Sequence, residues 1–456
     1  MRDAATYDVT SIINQSRISG YQWMVLAISL ATALFDGYDT QGIAYVAPVM
    51  AKDLGISPAQ LGPVFSAGLL GLTLGAIVFG MMADKIGRRQ AIIWPVVVFG
   101  VFSILTPMGH TLQSIIVLRL LAGFGLGGTL PSVTAYVLEY SPHRMRALLV
   151  NSTGAFFAFG SIVGGVLANA LIPTWGWQST FYVGGVVPLL FLLVIVPYLP
   201  ESVRFLLLSG KAMERAAAIM QKLVPDRKFP LSARFSLEPQ LQGITVKHLF
   251  TEGRALGTVL IWIAFIMNLF VLVYVIFWMP TLLRQAGQPL DVAIRATIFY
   301  GIGGIFGGLT VGYIADRVGS LYGVLALAYV GAAVFIAVAA FSVHDTTVLI
   351  PAMFMTGFSI NGGQPSLNTI SGIYYPTAIR ATGIGWALGV GRIGAVVGPM
   401  VGGILVGMHF AVHSVILANI IPAAIAAVAI VALRQTVKRR AETYATAAGG
   451  QATTRA

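Results

Sequence analysis

Two phrases recur along the chain at nearly constant offset, so any fold it adopts must be built twice on one plan. Gly80-Met-Met-Ala-Asp84-Lys85-Ile-Gly87-Arg88-Arg89 returns as Gly312-Tyr-Ile-Ala-Asp316-Arg317-Val-Gly319, with Asp84 and Asp316 separated by 232 positions. Tyr140-Ser-Pro142-His-Arg144-Met-Arg146-Ala147 returns as Tyr374-Tyr-Pro376-Thr-Ala-Ile-Arg380-Ala381, displaced by 234. Between them, Gly123-Phe124 and Pro131-Ser132 return as Gly357-Phe358 and Pro365-Ser366, also at 234. One half of the polypeptide is a divergent copy of the other.

The copies are too apolar for water. Of 456 residues, 57% are hydrophobic and 10% charged, where a soluble domain carries about 25% charged residues. Stretches of roughly 20 apolar residues cross the ~30 Å hydrocarbon layer, and twelve are expected, centred near Ser29, Leu72, Val98, Gly125, Phe159, Leu190, Met267, Gly304, Gly331, Gly357, Gly391 and Ala423. Backbone groups must be satisfied internally in lipid, so these spans are helices. The fold class is an all-α membrane protein of two pseudo-symmetric six-helix bundles. Internal repeats in so apolar a chain mark a secondary transporter.

A formal charge of +12 raises the question of nucleic acid, and the placement of the charge answers it. The N-terminus, alternate loops and C-terminus hold most of the 28 lysines and arginines, while the opposite loops hold only Lys52, Arg284 and Arg295. That asymmetry follows the positive-inside rule and puts both termini in the cytoplasm. Arg434, Lys438, Arg439 and Arg440 follow the last span and face anionic head groups. Nothing at the N-terminus resembles a cleaved leader, since about twenty polar residues precede the first span. With no cysteine, thiolate metal sites and thiol catalysis are excluded.

The expected organisation is a polar, partly mobile tail at 1–20, a first bundle at 21–199, a cytoplasmic linker at 200–254, a second bundle at 255–434 and a cytoplasmic tail at 435–456. Lys211 to Val224 has helical amphipathic spacing, with Met213, Ala217, Met220 and Leu223 on one side, and predicts a helix along the inner membrane surface. An even number of crossings makes the repeats parallel copies about an axis along the membrane normal. Gly71/Gly75, Gly160/Gly164, Gly303/Gly307, Gly385/Gly389 and Gly394/Gly398 have small-xxx-small spacing, which lets helices approach closely. Ordinary packing and a seam on which the halves rock remain open readings.

The phrase Gly80 to Arg89 resembles the signature of the major facilitator superfamily between its second and third helices. The second copy loses the basic pair, since Ser320 and Leu321 follow its glycine. Pro200-Glu201-Ser202-Val203-Arg204-Phe205-Leu206 resembles a phrase shared with sugar porters and organic-anion symporters. Asp36-Gly37-Tyr38-Asp39 in span one, with Gly389-Val-Gly391-Arg392-Ile393-Gly394 in span eleven, is similar to the aromatic acid:proton symporters. The resemblance covers about Tyr21 to Arg434. It implies proton-coupled uptake of an aromatic carboxylate such as a hydroxybenzoate across a bacterial inner membrane, by a carrier that acts as a monomer without cofactor.

Buried charges carry the residue-level reading, because a charge at the bilayer centre costs about 2.5–3.5 kcal/mol on insertion scales. Asp36 and Asp39 lie one turn apart and project from similar faces. Arg119 and Arg392 enter spans four and eleven. At an offset of 234 Arg392 replaces Ala158, and at 232 Asp36 corresponds to Asn268, so these charges are not inherited scaffold. Burial raises a carboxyl's proton affinity and a nearby arginine lowers it, and alternation between those environments lets Asp36 or Asp39 carry a proton. The competing reading is an ion pair with Arg119 that ties span one to span four. Arg392 offers a planar fork for carboxylate, or a partner for a backbone carbonyl or an acid. Arginine in the fourth helix is widespread in the superfamily, which implies proton coupling as well as substrate binding for Arg119.

Further candidates complete the set. Phe35, Tyr38, Tyr274, Tyr300 and Trp386 are placed to stack on a ring, and Asn268, Asn361 and Gln364 to bond ring hydroxyls, each against the plainer reading of core packing. Asp84, Arg88, Arg89, Glu139, Arg144, Arg146, Glu201, Arg204, Asp316, Arg317 and Arg380 sit at cytoplasmic helix ends and, by resemblance, form ion pairs of an inner gate. Independent topology determinants are the alternative, and screened pairs are individually weak, at about 0–1 kcal/mol. The alternatives in function are a nicotinate, other organic-anion or sugar-like symporter, a drug/proton antiporter, and a membrane sensor. The antiporter phrase Gly-x-x-x-Gly-Pro-x-x-Gly-Gly belongs in span five, where Gly160 to Gly165 lacks the proline, and stands instead at Gly394 to Gly403. A sensor lacks a cytoplasmic domain to signal through. An enzyme is disfavoured because all six histidines fall in loops or at span ends, without metal-ligand spacing.

Overall fold

The computed structural model describes residues 6–209, 213–225, 234–236 and 246–453. Twelve long helices fill most of it: Gly20–Asp53 (α1), Leu61–Ile86 (α2), Gln90–Leu105 (α3), Leu112–Tyr140 (α4), Arg146–Trp175 (α5), Gln178–Tyr198 (α6), Ala255–Gln285 (α7), Leu290–Val318 (α8), Leu321–Phe341 (α9), Thr346–Tyr374 (α10), Arg380–Gly407 (α11) and Ile420–Thr453 (α12). Local chemistry sets their ends. Ser19 and Gln22 close a capping box at α1, Thr111 and Ser114 do the same at α4, and Asp345 caps α10 through the amide of Thr347. Thr6–Asp8 pairs in parallel with Arg234–Ser236, a three-residue ladder in an otherwise helical protein.

Among the described residues, ten helices are long and apolar enough to cross a bilayer on their own. α1 joins them only together with the short helix before it, and α10 does not. The departure from twelve has a physical cause. α1 carries the buried Asp36 and Asp39, and α10 the half-buried Asn361, Gln364 and Asn368, polar side chains that lower the mean hydropathy of both helices.

The chain divides into two compact units, Met1–Ser57 with Pro63–Leu241, and Pro58–Gly62 with Gln242–Ala456. In the first, α1 packs on α4, α5 and α6, and α3 on α4 and α6. In the second, α7 packs on α11 and α12, and α9 on α10 and α12. The pairs α1–α5 and α7–α11 correspond, as do α3–α4 and α9–α10, so the sequence repeat is a packing repeat.

Glycine makes the tightest contacts of that plan. A Cβ at Gly71 would fall 2.0 Å from Leu120 O, and one at Gly303 2.0 Å from Phe354 O. At Gly160 and Gly394 it would fall 1.9 Å from Leu34 O and Ile266 O. All four close α2 on α4, α8 on α10, α1 on α5 and α7 on α11, inside one unit. For these positions the structure favours close packing over a rocking seam. Gly385 and Gly389 have nothing within 4 Å.

Two expectations about the segments outside the bundles change. The first twenty residues are not simply a tail, because Val9–Gln15 is a helix with Val9, Ile12 and Ile13 buried. The amphipathic helix is present at Met213–Leu223, but its apolar face is turned into protein. Ala216, Ala217, Met220 and Leu223 join Val9, Ile12, Ile13, Leu206 and Leu207 in one hydrophobic cluster. Fewer apolar groups then remain for lipid than amphipathic spacing suggests. Lys211 and residues 1–5 lie outside the described residues, as does the Arg440 side chain. α12 continues through the boundary expected at 434.

Candidate functional site

In the first unit, three ionisable side chains are buried together. Asp36, Asp39 and Arg119 are 1%, 2% and 2% exposed. Arg119, eight residues into α4, reaches Asp39 Oδ2 on α1 through Nη1 at 3.5 Å and Nη2 at 3.4 Å. Its guanidinium also lies 5.3 Å from the centre of the Phe181 ring on α6, a cation–π contact that orients it. The other oxygen of Asp39 accepts a hydrogen bond from Ser103 on α3. Asp36 Oδ1 accepts from Thr40, one turn along, at 3.1 Å. The Asp39 carboxylate is therefore held between two neighbouring helices, and that of Asp36 accepts a bond within its own helix.

The aromatic candidates of α1 are placed differently. The Tyr38 hydroxyl donates to Thr180 O at 3.1 Å, and Phe35 meets Phe191 edge-on at 5.2 Å. Both rings serve packing of α1 on α6. Sequence spacing gives the face a residue shares with its neighbours on one helix, but not which helix that face meets.

The second unit has an uncharged counterpart. Asn268, at the repeat position of Asp36, is fully buried, and its Nδ2 donates to Gln364 Oε1 at 2.6 Å. Gln364 Nε2 donates on to Asn368 Oδ1 at 3.4 Å. Asn268 Oδ1 is buried with no hydrogen bond, an unmet acceptor that costs about 1–3 kcal/mol. Tyr300 OH lies 3.4 Å from Asn361 Oδ1. Tyr274 is committed elsewhere, its hydroxyl bonded to Val415 O at 2.9 Å. Trp386 is 44% exposed and stacks on Trp262 with ring centres 6.2 Å apart. Arg392 is half-buried on α11, with Nη1 inside the protein.

At the helix ends of the first unit, Arg88 pairs with Asp84 at 3.0 Å and with Glu139 at 3.2 Å. Glu201 accepts from the Arg89 amide at 3.1 Å and from the Ser202 amide at 2.9 Å. Burial pushes the Glu201 carboxyl up from its ordinary value, and those amides oppose the shift. Gly87 explains itself here. Its φ is +100°, and a Cβ would sit 2.3 Å from the Glu201 carboxylate, so a left-handed turn and a close approach both require glycine. Arg144 bonds the carbonyls of Asn14 and Ser16, fastening the N-terminal helix instead of pairing with an acid. Arg204 lines a 1330 Å³ cleft with Asp84, Arg88 and Glu139, and Arg146 buries its Nε. In the second unit, Arg317 lies over the Tyr313 ring at 5.1 Å, Asp316 is exposed, and Arg380 donates to Thr377 at 3.3 Å.

Ser103, Thr40, Phe181 and Asn368 were not among the sequence candidates. Ser103 is the one hydroxyl in the sixteen residues of α3, a weak signal, because hydroxyls in membrane helices ordinarily bond their own backbone. Among the described residues, no group of three metal-ligating side chains is suited to hold a metal ion.

Comparison with known proteins agrees with this architecture. The family model described as Major Facilitator Superfamily matches residues 29–320 and 288–455. The 4-hydroxybenzoate transporter PcaK of Acinetobacter baylyi is 34% identical over 93% of this chain and 94% of its own. The gallate transporter of Pseudomonas putida is 36% identical over 94% and 95%. Among solved structures, the inward-open xylose transporter XylE from E. coli superposes with a TM-score of 0.69 at 18% identity, covering 91% of this chain and 96% of that one. With duplicated six-helix packing, the loop signature and matches over nearly the whole length, the chain belongs to the major facilitator superfamily of membrane transporters.

Proposed function

We propose that this protein is a proton-coupled symporter that takes up a small aromatic carboxylate, such as a hydroxybenzoate, across a bacterial inner membrane by alternating access. The observation that carries the coupling is the Asp39 carboxylate, 2% exposed inside a membrane helix and held by Arg119 and Ser103. A proton arriving at Asp39 or Asp36 neutralises a charge that would otherwise oppose reorientation of the loaded carrier. Relatives transporting 4-hydroxybenzoate and gallate support the substrate class.

In this reading Arg392 clamps the carboxylate through its planar fork, with Arg119 in contact with the coupling site. The ladder of Asn268, Gln364 and Asn368 reads ring hydroxyls, since a phenol O–H is the donor that the unmet Asn268 Oδ1 lacks. The carrier acts as a monomer with both termini cytoplasmic, and the proton gradient drives it without a cofactor. Uptake of radiolabelled benzoate, 4-hydroxybenzoate, nicotinate and methyl 4-hydroxybenzoate, with and without a protonophore, tests the reading. It predicts protonophore-sensitive accumulation of the free acids, strongest for the hydroxylated one. Equal uptake of acid and ester, or accumulation indifferent to the protonophore, contradicts it.

A further inference from the structure

We propose that Ser103 is a positioning residue for proton exchange at Asp39, holding the carboxyl group in place in both its charged and its neutral state. The inference rests on the reading of Asp39 as a proton carrier given above. Its basis is geometric. Serines and threonines of the bundles mostly turn back on their own helix: Ser29 donates to Val25 O, Thr32 to Ile28 O, Thr106 to Phe102 O and Thr297 to Ala293 O. Ser103, fully buried, instead crosses from α3 to α1 and donates to Asp39 Oδ1. The arginine contacts on the other oxygen are long, at 3.4 and 3.5 Å, where a charge-assisted bond is about 2.7–2.9 Å. The serine is the closer partner.

The surroundings leave it few rivals. Among the described residues, the charged and titratable groups placed around Asp39 are Arg119 from α4 and, on its own helix, Asp36 and Tyr38. Tyr38 is turned to Thr180. α5 presents Gly160, Gly164 and Ser161 to α1, with the Ser161 hydroxyl donating to Gly37 O, and α6 presents Phe181, Gly184 and Thr180. A Cβ at Gly184 would lie 3.1 Å from Asp39 Oδ1 and 3.0 Å from the Tyr38 ring, so α6 yields the space the carboxyl occupies. When Asp39 takes up a proton, its attraction to Arg119 lapses. A hydroxyl donates and accepts, so Ser103 turns from donor to the ionised carboxylate into acceptor from the protonated one. The arginine, a donor only, has no such second role.

The test is the pH dependence of proton-driven uptake in cells expressing wild type, Ser103→Ala, Ser103→Cys, Ser103→Thr and Asp39→Asn. Each is measured beside substrate counterflow, which reports folded, binding-competent carrier without net proton movement. The bond to the ionised carboxylate is the stronger of the two that Ser103 makes and favours that form, so Ser103→Ala should move the uptake curve to higher pH by about one unit, the difference between a charge-assisted and a neutral hydrogen bond. Ser103→Cys, of similar volume but a weak donor, should move it the same way without leaving a cavity, and Ser103→Thr should restore the wild-type curve. Superimposed curves for wild type and Ser103→Ala overturn the proposal, as does an equal shift in Ser103→Thr. If Asp39→Asn still shows protonophore-sensitive accumulation, the proton reading at Asp39 is lost, and the Ser103 role with it. If Asp39→Asn loses accumulation while Ser103→Ala and Ser103→Cys follow wild type, only the Ser103 role falls.

Discussion

Asp39 and Arg119 illustrate what a single residue tells in a membrane. A charge retained at bilayer depth needs a reason, and the structure gives Asp39 a donor on each oxygen. Such a pair is not a source of stability by itself, because the cost of taking both charges out of water offsets their attraction, although removing one partner leaves an uncompensated buried charge at about 3–5 kcal/mol. Arg392 permits a sharper test. Arg392→Lys keeps the charge and loses the fork, so the apparent substrate constant should rise roughly ten- to a hundredfold, the worth of a charge-assisted bond. The readout is concentration-dependent uptake. An unchanged constant removes the clamp from α11, and the same loss in Arg119→Lys alone places it on α4. The charged residues were legible in the sequence because insertion penalties single them out. Ser103 was not, because a hydroxyl that bonds a neighbouring helix looks in sequence like one that bonds its own. The packing of the Tyr38 and Phe35 rings was not legible either, since the face of α1 they occupy meets α6.

Helices were the legible elements, because in lipid only a helix satisfies its backbone within one segment. Their contacts were partly legible, as spaced glycines that proved to close α2 on α4 and α8 on α10 within each unit. A comparison along α8 checks this. Gly303→Ala places a methyl carbon against Phe354 O, whereas Gly301, two residues earlier, has nothing within 4 Å. Gly303→Ala should lower the melting temperature of the detergent-solubilised protein markedly, as overpacking costs about 1–3 kcal/mol, and Gly301→Ala should leave it nearly unchanged. Similar melting temperatures for both would mean that the α8–α10 contact relaxes freely. The helix at Val9–Gln15 was not legible. Its three buried side chains, Val9, Ile12 and Ile13, belong to a cluster whose other members lie as far as two hundred residues away, and polar composition alone reads as a tail.

At the scale of the molecule, the duplication separates scaffold from function. Corresponding helix pairs pack alike in the two units, and corresponding glycines meet corresponding carbonyls. Among the differences are the buried polar positions, where Asp36 stands opposite Asn268 and Arg392 opposite Ala158. One copy holds a buried titratable cluster and the other a ladder of amides, which the proposed function assigns to proton and substrate respectively. The central claim is that the two are coupled, and proton flux measured directly tests it best. In proteoliposomes carrying an internal pH dye, 4-hydroxybenzoate added outside should acidify the lumen with wild type. Asp39→Asn should give no acidification while still exchanging labelled substrate across the membrane. Substrate accumulation without acidification, or an Asp39→Asn carrier that acidifies as wild type does, would contradict the account.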